Sequence, residues 1–586
     1  MKFNVIFLIK LLINKVFFIF FFLIFLIILN HSIFKSLYNS SSVTFNFINQ
    51  NINISQEHFV FWHKFKTFYN LFFILTNIII LNYIYNFLSK NIFNISFNSN
   101  KEKVISDINP NSFINLFIGK DLASNDDVYI AQKGLYQNIL ITGGIGSGKT
   151  SSAMYPFTRQ LISYECNKKD KKFGMLILDV KGNYYKEVLK YAKTFNRQED
   201  VIIISLDGIY KYNPLDKPNL KPIVLAERLK EILLLFSQNN SDSYWLDKSQ
   251  QIISECIKIC RLYNNGYVTF YEIHKLITSS EYLNEKLVLL KNKFLSNSLS
   301  YEQIFDLNTA LEFFKSEFFN LDSKVLSIIK SEITRITGTF VNDLSIKNIF
   351  CPPKSELNFN GFEDVVKNGK IVILNMNIAQ YKNLSKIIAA YLKLDFQSEV
   401  MQELSRSASQ RTTCFISDEY QEYVTSSDAD FFSQSREAKC INIVSTQSYT
   451  SILNTLKDQN STKVIIQNLI NKLWFRTDDI FTIEEAQKQI GKEDKTKVSN
   501  SISENAKETK FNYITNTFNS NDSSISESIN TYTQTDFVYD FKTFTQELEV
   551  FNCIAFLSDG KKILKPCRLK TSPIFLSDNI QNKKFI

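Results

Sequence analysis

The chain has 586 residues, enough for two to four domains, and a formal net charge of +9. So small a charge excess permits contact with nucleic acid or a membrane surface but does not require either. The eight cysteines form no C-x-x-C pair. This argues against a zinc centre or a disulfide framework, and reduced thiols in a cytosolic body are expected.

Two apolar runs near the N-terminus predict membrane-spanning helices. The uncharged run from Val16 to Leu29 can extend to about residue 34, and the second runs from Phe68 to Leu88. Lysines before the first run and after the second place both ends in the cytoplasm. A cleavable signal peptide and a buried hairpin in a soluble protein are the competing interpretations, but no A-x-A-like site follows the first run. We therefore expect a membrane anchor over 1–90, with helices at about 16–34 and 68–88 and a short extracytoplasmic loop.

A glycine loop follows the first strand of the folded body. Residues 91–137 are expected to be a linker and entry segment before this body, which begins with a buried strand at Asn138–Thr142. The next eight residues, GGIGSGKT, fit the phosphate-loop pattern G-x-x-x-x-G-K-[ST] at every specified position. Backbone N–H groups and the following helix N-terminus would bind phosphate, with Lys149 at the outer phosphates and the Thr150 hydroxyl on Mg²⁺. The predicted nucleotide-binding residues are Gly143, Gly144, Ile145, Gly146, Ser147, Gly148, Lys149 and Thr150.

Short β-branched runs recur after this loop and alternate with helical stretches, which predicts an α/β fold with a largely parallel sheet. The runs are Gly174–Leu178, Val201–Leu206, Ile371–Leu374, Cys414–Ile416 and Ile441–Ser445. The gap between the second and third runs is too long for one crossover and mostly helical in period. An inserted all-α domain is therefore expected at 222–348, although its helices could instead pack on the sheet.

The C-terminal part changes in composition after Gly491. Residues 495–536 are rich in Ser, Asn and Thr with little periodic hydrophobicity, which predicts a flexible segment. Strand-like stretches around a turn at Ser558–Gly560 predict that 537–586 return to complete an edge of the sheet. The nucleotide-binding domain would then comprise 138–221 and 349–494, completed by these strands.

An acidic pair supplies the chemistry that a phosphate loop lacks. Apolar residues lead to Asp418 and Glu419 at a strand's carboxyl end, where ligands bind in open α/β sheets. Asp418 would hold Mg²⁺, and Glu419 would polarise the attacking water. Alone, the pair could be an ordinary acidic strand end, but a complete phosphate loop upstream favours the catalytic interpretation.

Four more polar residues near strand ends could join the site. Gln447 would sense the terminal phosphate and position water, or serve only as a cap. Arg436 could supply charge to a phosphate, in its own subunit or across a subunit boundary, or be a solvated helix-end arginine. Asp179 and Lys181 could support the site or simply form a turn.

Taken together, these motifs resemble those of the type IV secretion coupling proteins, the TraG/TraD-like ATPases of conjugation. Besides the two spans and the glycine loop, the matching stretches are LDVKGN (178–183), YNPL (212–215), YW (244–245), ISDEY (416–420), SREAKCINIVSTQS (435–448), LWFRTDD (473–479) and IGKED (490–494). The chain departs from the family at Asn183, where the family often has an acidic residue, and its Ser/Asn-rich tract looks like an expansion.

The resemblance implies a RecA-like P-loop NTPase that assembles as a homohexamer at the inner membrane. It implies ATP and Mg²⁺ as cofactors, and it carries the roles over to Lys149, Thr150, Asp418, Glu419 and Gln447, with Arg436 a weaker finger candidate. The implied partners are sequence-nonspecific DNA with a relaxase, and the channel proteins of the secretion system. Both termini and the ATPase body would be cytoplasmic.

Three functions compete at this stage. The first is an ATP-driven coupling pump for DNA or protein, which the helical insert and YNPL favour. The second is a membrane-anchored DNA translocase of the FtsK or HerA kind, unconnected with conjugation. The third is a non-hydrolysing receptor that uses nucleotide only to assemble, and an intact Glu419 argues against it.

Overall fold

The computed structural model describes residues 114–573 apart from gaps at 237–242, 297–298, 360, 382, 407–410, 506–509, 513, 515–516 and 520–523. Both predicted membrane-spanning segments lie outside the described residues. Within the described part of the chain, no helix is long and apolar enough to cross a membrane.

The strands alternate with helices along most of the chain. In chain order the strands are β1 (Asn115–Asp121), β2 (Asp127–Ala131), β3 (Ile139–Thr142), β4 (Gly174–Leu178), β5 (Val201–Ile204), β6 (Ile371–Leu374), β7 (Thr413–Ser417), β8 (Cys440–Thr446), β9 (Asn471–Phe475), β10 (Lys492–Asn505), β11 (Lys510–Asn512), β12 (Thr517–Asn519), β13 (Ser524–Phe537), β14 (Asn552–Phe556) and β15 (Cys567–Lys570). The predicted strands in the parallel part of the sheet are confirmed, and their ends lie within two residues of the expected ones.

The helices fall into a group before residue 200, a long run between β5 and β6, and a third group after β6. They are α1 (Gln132–Leu135), α2 (Tyr155–Ser163), α3 (Tyr184–Thr194), α4 (Pro222–Phe236), α5 (Ser243–Tyr263), α6 (Phe270–Thr278), α7 (Ser280–Leu295), α8 (Tyr301–Ser316), α9 (Ser323–Val341), α10 (Leu344–Phe350), α11 (Glu363–Asn368), α12 (Ile378–Tyr381), α13 (Asn383–Arg406), α14 (Asp428–Gln434), α15 (Tyr449–Leu456), α16 (Gln459–Asn468) and α17 (Ile480–Ile490). A π-helical turn, Thr150–Met154, leads from the glycine loop into α2.

Eleven strands form one mixed sheet, in the order β2-β1-β15-β14-β9-β3-β8-β7-β4-β6-β5. The run from β9 to β5 is parallel, as predicted. The strands from β14 to β2 pair antiparallel with their neighbours. Of these pairs, β1 and β2 are joined by a short connection, which can join only antiparallel neighbours. Glycine-loop strand β3 therefore lies inside the sheet, between β8 and β9.

Alternate residues of the central strands face opposite layers of helices. In β4, Leu176 and Leu178 belong to one hydrophobic cluster, whereas Met175 and Ile177 belong to the other. All four are fully buried. Both faces are covered, so these strands are continuous apolar runs, as expected of a parallel sheet between helices.

Helices α4 to α10 occupy the long gap between β5 and β6, where the sequence predicts an all-α insert. Their buried side chains, such as Leu225 and Leu229 of α4, join the same hydrophobic cluster as Leu176 and Leu178 of the sheet. Helix α4 packs on α5 and also on α13 of the body. The insert and one face of the sheet thus share a continuous core.

Three expectations from the sequence need correction. The linker expected at 91–137 contains β1 and β2, which form the edge of the sheet. Strands β14 and β15 lie between β9 and β1, so they bridge the sheet to this edge instead of forming it. The flexible segment expected at 495–536 forms a ribbon in which β10 pairs with β13 from Lys492↔Phe537 to Asn505↔Ser524. Backbone hydrogen bonds of a ladder need no apolar side chains, and β-branched threonines favour extended strands.

Candidate nucleotide site

The predicted site residues follow neighbouring parallel strands of the sheet. Thr142, the last residue of β3, lies opposite Thr446 of β8 and Trp474 of β9. The end of β7 lies beside β8, with Ser417 opposite Val444. The glycine loop, the acidic pair and Gln447 therefore leave the same carboxyl edge of the sheet, where open α/β sheets bind ligands.

The glycine loop closes on itself through short backbone contacts. The Ser147 hydroxyl donates to the Gly144 carbonyl at 2.8 Å, and the Gly144 N–H donates to the Arg476 carbonyl beyond β9 at 2.8 Å. Gly146 and Gly148 have φ of 76° and 97°, a region that L-residues with a Cβ rarely adopt. The loop conformation thus requires glycine at these two positions.

Lys149 points into its own loop. Its Nζ donates to the carbonyls of Gly143 and, at 3.2 Å, of Gly144, and the residue is only 7% exposed. Burial lowers the pKa of Lys149, while the carboxylates of Glu419 and Asp418 oppose this effect. The ammonium group lies where the loop would receive phosphate oxygens, and it can exchange the two carbonyls for them.

Thr150 and Asp418 form the second contact of the site. The Thr150 hydroxyl donates to Oδ2 of Asp418 at 2.9 Å, and Asp418 is 1% exposed. Burial raises the pKa of Asp418, and the neighbouring charges of Glu419 and Asp179 raise it further. A hydroxyl and a carboxylate side by side are hard oxygen donors, as Mg²⁺ prefers alongside phosphate oxygens. The two residues therefore fit the predicted Mg²⁺ role.

Glu419 has a strained backbone and a tethered side chain. Its φ of 53° and ψ of 51° are left-handed, which costs a residue with a Cβ about 1–2 kcal/mol. Its Oε2 accepts hydrogen bonds from Nε2 of Gln447 at 3.1 Å and from Nε2 of Gln421 at 2.7 Å. Strain of this kind persists where the surroundings over-determine a conformation, as they do at functional sites.

A buried ion pair supports the segment after Glu419. Lys393 of α13 and Asp428 of α14 are both fully buried and lie 2.6 Å apart. Lys393 also donates to the Tyr423 carbonyl and the Thr425 hydroxyl, each at 2.8 Å. The Tyr420 hydroxyl donates to the same Asp428 oxygen. The loop that carries the acidic pair is therefore fixed to two helices by buried charge-assisted hydrogen bonds.

Asp179 forms the turn between β4 and α3. Its carboxylate accepts from the backbone N–H groups of Lys181, Asn183 and Tyr184 at 3.0, 2.9 and 3.1 Å. This geometry corresponds to the second interpretation of Asp179, in which its carboxylate stabilises a turn. The charges of Asp179 and Lys181 nevertheless act on the pKa of Asp418, so the turn belongs to the electrostatic surroundings of the site.

Arg436 lies away from the other predicted residues of its own chain. It is exposed and precedes Cys440, the first residue of β8, whereas the site lies beyond Thr446 at the other end of this strand. A seven-residue strand spans roughly 20 Å at about 3.3 Å per residue. The structure therefore does not bring Arg436 to the predicted site of its own chain. A role across a subunit boundary stays a prediction.

The structure adds residues that the sequence did not indicate. Phe551 donates from its backbone N–H to the Ser147 carbonyl at 3.2 Å, and its ring fills the space beside Gly148. Thr571 donates from its hydroxyl to Ser152 at 2.6 Å. These contacts join the C-terminal strands to a loop some 400 residues earlier, and no local pattern could reveal them. Gln421 is likewise hidden, because a glutamine after a strand is an ordinary loop residue.

A family comparison covers the part of the chain that contains the acidic pair and Gln447. Residues 358–529 match the family model described as the type IV secretion-system coupling protein DNA-binding domain. No curated protein sequence matches the chain. The family match confirms the resemblance to type IV secretion coupling proteins that the sequence motifs indicated.

Solved structures similar to this chain include several of the bacterial conjugative coupling protein TrwB. Its unbound monoclinic form has a TM-score of 0.50 at 11% identity and covers 78% of this chain and 88% of its own. The complex of TrwB with the GTP analogue GDPNP has a TM-score of 0.51 at 11% identity, covering 80% and 91%. The complex with ADP and Mg²⁺ has a TM-score of 0.50 at 11% identity, covering 80% and 97%. At this identity the likeness shows a shared mixed α/β fold.

Proposed function

We propose that this chain is an ATP-hydrolysing coupling protein of a type IV secretion or conjugation system. It would recruit a DNA–relaxase or protein substrate and drive its transfer to the membrane channel. The observation that carries the proposal is the pairing of Thr150 with Asp418 beside Glu419 and Gln447 at one sheet edge. The complexes of TrwB with GDPNP and with ADP and Mg²⁺ support nucleotide as the ligand of this fold.

The glycine loop and Lys149 would bind the phosphates of ATP. On binding, the ammonium group of Lys149 moves from the carbonyls of Gly143 and Gly144 to phosphate oxygens, and the backbone N–H groups of the loop surround the same charge. Thr150 and Asp418 would hold Mg²⁺. When bound, this ion supplies charge that neutralises the phosphate oxygens during transfer.

Glu419 and Gln447 would act on the attacking water. Among the described residues, none donates to Oε1 of Glu419, so this oxygen is available to accept a hydrogen bond from water and orient it. Gln447 lines a cleft of about 910 Å³ that Gly144 and Ile145 of the glycine loop also line, and it would contact the terminal phosphate. The roles of base and phosphate sensor are therefore divided between adjacent strand ends.

The resemblance to type IV secretion coupling proteins supports the membrane anchor, the oligomer and the DNA substrate of this proposal. The predicted helices at about 16–34 and 68–88 would anchor the chain in the inner membrane as a multi-pass protein, with the ATPase body in the cytoplasm. Copies would assemble into a homohexamer, in which Arg436 of one subunit reaches the nucleotide of the next. The family match to a DNA-binding domain supports DNA as a substrate, contacted through its backbone without sequence preference.

ATP turnover by the purified full-length chain, with and without DNA, tests this function. The wild-type chain should hydrolyse ATP in the presence of Mg²⁺, and Lys149→Ala should abolish both nucleotide binding and turnover. A wild-type chain that binds ATP without turnover under either condition would instead indicate the receptor that only assembles.

A further inference from the structure

Gln421 contacts Glu419 but has no part in the mechanism above. Its Nε2 lies 2.7 Å from Oε2 of Glu419, closer than the 3.1 Å of Gln447 to the same oxygen. Gln421 is 6% exposed, whereas Gln447 lines the cleft beside the glycine loop. The two amides therefore share a carboxylate oxygen but differ in their access to a nucleotide.

The oxygen end of the Gln421 amide contacts β8. The hydroxyl of Thr446, the last residue of β8, donates to Oε1 of Gln421 at 2.9 Å. If the amide were turned over, its oxygen would face the carboxylate of Glu419 and the hydrogen bond would be replaced by repulsion. The Thr455 hydroxyl of α15 also donates to the backbone carbonyl of Gln421 at 2.9 Å. Gln421 is thus attached both to β8 and to α15.

This arrangement makes the two oxygens of Glu419 unequal. Both donors meet Oε2, and no described residue donates to Oε1. Among the described residues, the side chains that donate to this carboxylate are Gln421 and Gln447, so these two amides restrict its rotation about the side-chain bonds. Positioning of this kind matters, because a misplacement of about 1 Å can cost roughly a hundredfold in rate.

We propose that Gln421 is a positioning residue for ATP hydrolysis. It anchors Oε2 of Glu419 so that Oε1 faces the attacking water, and it keeps this contact when Gln447 turns from Glu419 to the terminal phosphate. The inference rests on the proposed function, because Glu419 has a water to orient only if the chain hydrolyses nucleotide.

Steady-state kinetics of the full-length Gln421→Met variant test this role. Methionine keeps the length of the side chain and removes both hydrogen bonds, so kcat should fall about tenfold to a hundredfold. KM and the affinity for Mg²⁺–ATP should stay within about twofold, because the Gln421 side chain touches neither the glycine loop nor Asp418. The matched control is Thr455→Val, which removes the hydroxyl contacts to the backbone carbonyls of Gln421 and Ser451. It leaves both side-chain hydrogen bonds of Gln421 in place and should keep wild-type kcat.

A second variant, Gln421→Glu, keeps the size of the side chain and places a like charge against Glu419. It should lower kcat further at unchanged KM, and it decides the question if the methionine variant does not fold. Wild-type kcat in a folded Gln421 variant would overturn the positioning role while leaving the proposed function intact. A joint loss of kcat, nucleotide affinity and thermal stability would overturn it too, because Gln421 would then support the whole loop. Absence of turnover in the wild-type chain would instead overturn the proposed function.

Discussion

Alanine at Gly148 should impair nucleotide binding far more than alanine at Gly146. Both glycines have positive φ, 97° and 76°, so each substitution strains the backbone. A Cβ at Gly148 would lie 2.5 Å from Cδ1 and 2.8 Å from Cε1 of Phe551, whereas a Cβ at Gly146 would meet nothing within 4 Å. The pair therefore separates the cost of strain from the cost of the collision.

The two costs can be estimated from the geometry. Left-handed backbone costs an L-residue about 1–2 kcal/mol, which corresponds to roughly 5- to 30-fold in affinity for Gly146→Ala. Overpacking adds typically about 1–3 kcal/mol, so Gly148→Ala should lose between about 30-fold and several thousandfold. Affinity falls because the free loop of each variant relaxes from this conformation and must be strained again when nucleotide binds.

Calorimetric titration of the full-length variants with Mg²⁺–ADP measures both losses of affinity. Removing the ring in Gly148→Ala/Phe551→Ala should restore affinity to about the level of Gly146→Ala, corrected for the effect of Phe551→Ala alone. Equal affinities of the two alanine variants, or no recovery on removing the ring, would refute the claim that Phe551 holds the glycine loop.

Three further outcomes are expected. Lys393→Met should lower the free energy of unfolding by about 3–5 kcal/mol, because it leaves Asp428 buried with its charge unpaired. The control Lys488→Met, at an exposed ion pair, should leave the denaturant midpoint unchanged. Equal effects of the two substitutions on the midpoint would contradict a stabilising role of the buried pair. Burial alone would raise the pKa of Asp395, but Lys217 and Arg228 outweigh it and hold this pKa below its usual value. The ionised Asp395 therefore stabilises the fold above about pH 4, and this stabilisation is lost as the pH falls through the lower folded-state pKa. The difference in free energy of unfolding between wild type and Asp395→Asn should accordingly narrow in acid. A difference that stays constant with pH would count against this role of Asp395. DNA affinity should fall steeply with salt concentration in filter-binding titrations, and a salt-independent affinity would argue against contacts to the DNA backbone.

The parallel part of the fold could be predicted because its signals are local. Buried strands such as β4 and β7 are short runs of apolar residues between polar ones, and a run of this kind shows its own boundaries. Strands that follow one another in a parallel sheet end at the same edge. The convergence of the glycine loop with Asp418 and Gln447 then follows from topology alone.

The antiparallel strands could not be recognised in the same way. In strand β1, only Leu116, Ile118 and Gly119 are buried, and the other residues are exposed or half-buried. One partner, β2, follows β1 closely in sequence, but the other, β15, lies about 450 residues later. A local pattern therefore does not reveal that β1 joins the main sheet. The ribbon of β10 and β13 gives still less signal, since its pairing depends on backbone geometry.

Within the site, the sequence predicted the residues that we propose to contact the nucleotide, and it missed those that hold them in place. Lys149, Asp418 and Glu419 belong to patterns whose spacing the chemistry dictates. Gln421 and Phe551 act through contacts to residues on other elements, and many side chains could make such contacts. Arg436 and Gln447 are close in sequence, but they lie at opposite ends of β8, so the structure does not bring them together within one chain.

The most direct test of the central claim is the comparison of ATP turnover and ATP binding in Glu419→Gln. Glutamine keeps the size of the side chain and removes the charge that polarises water, while Thr150 and Asp418 keep their contact. We expect Mg²⁺–ATP affinity to stay close to wild type and turnover to fall by about a hundredfold or more. Turnover near the wild-type rate in this variant would show that Glu419 is not the base and would contradict the account.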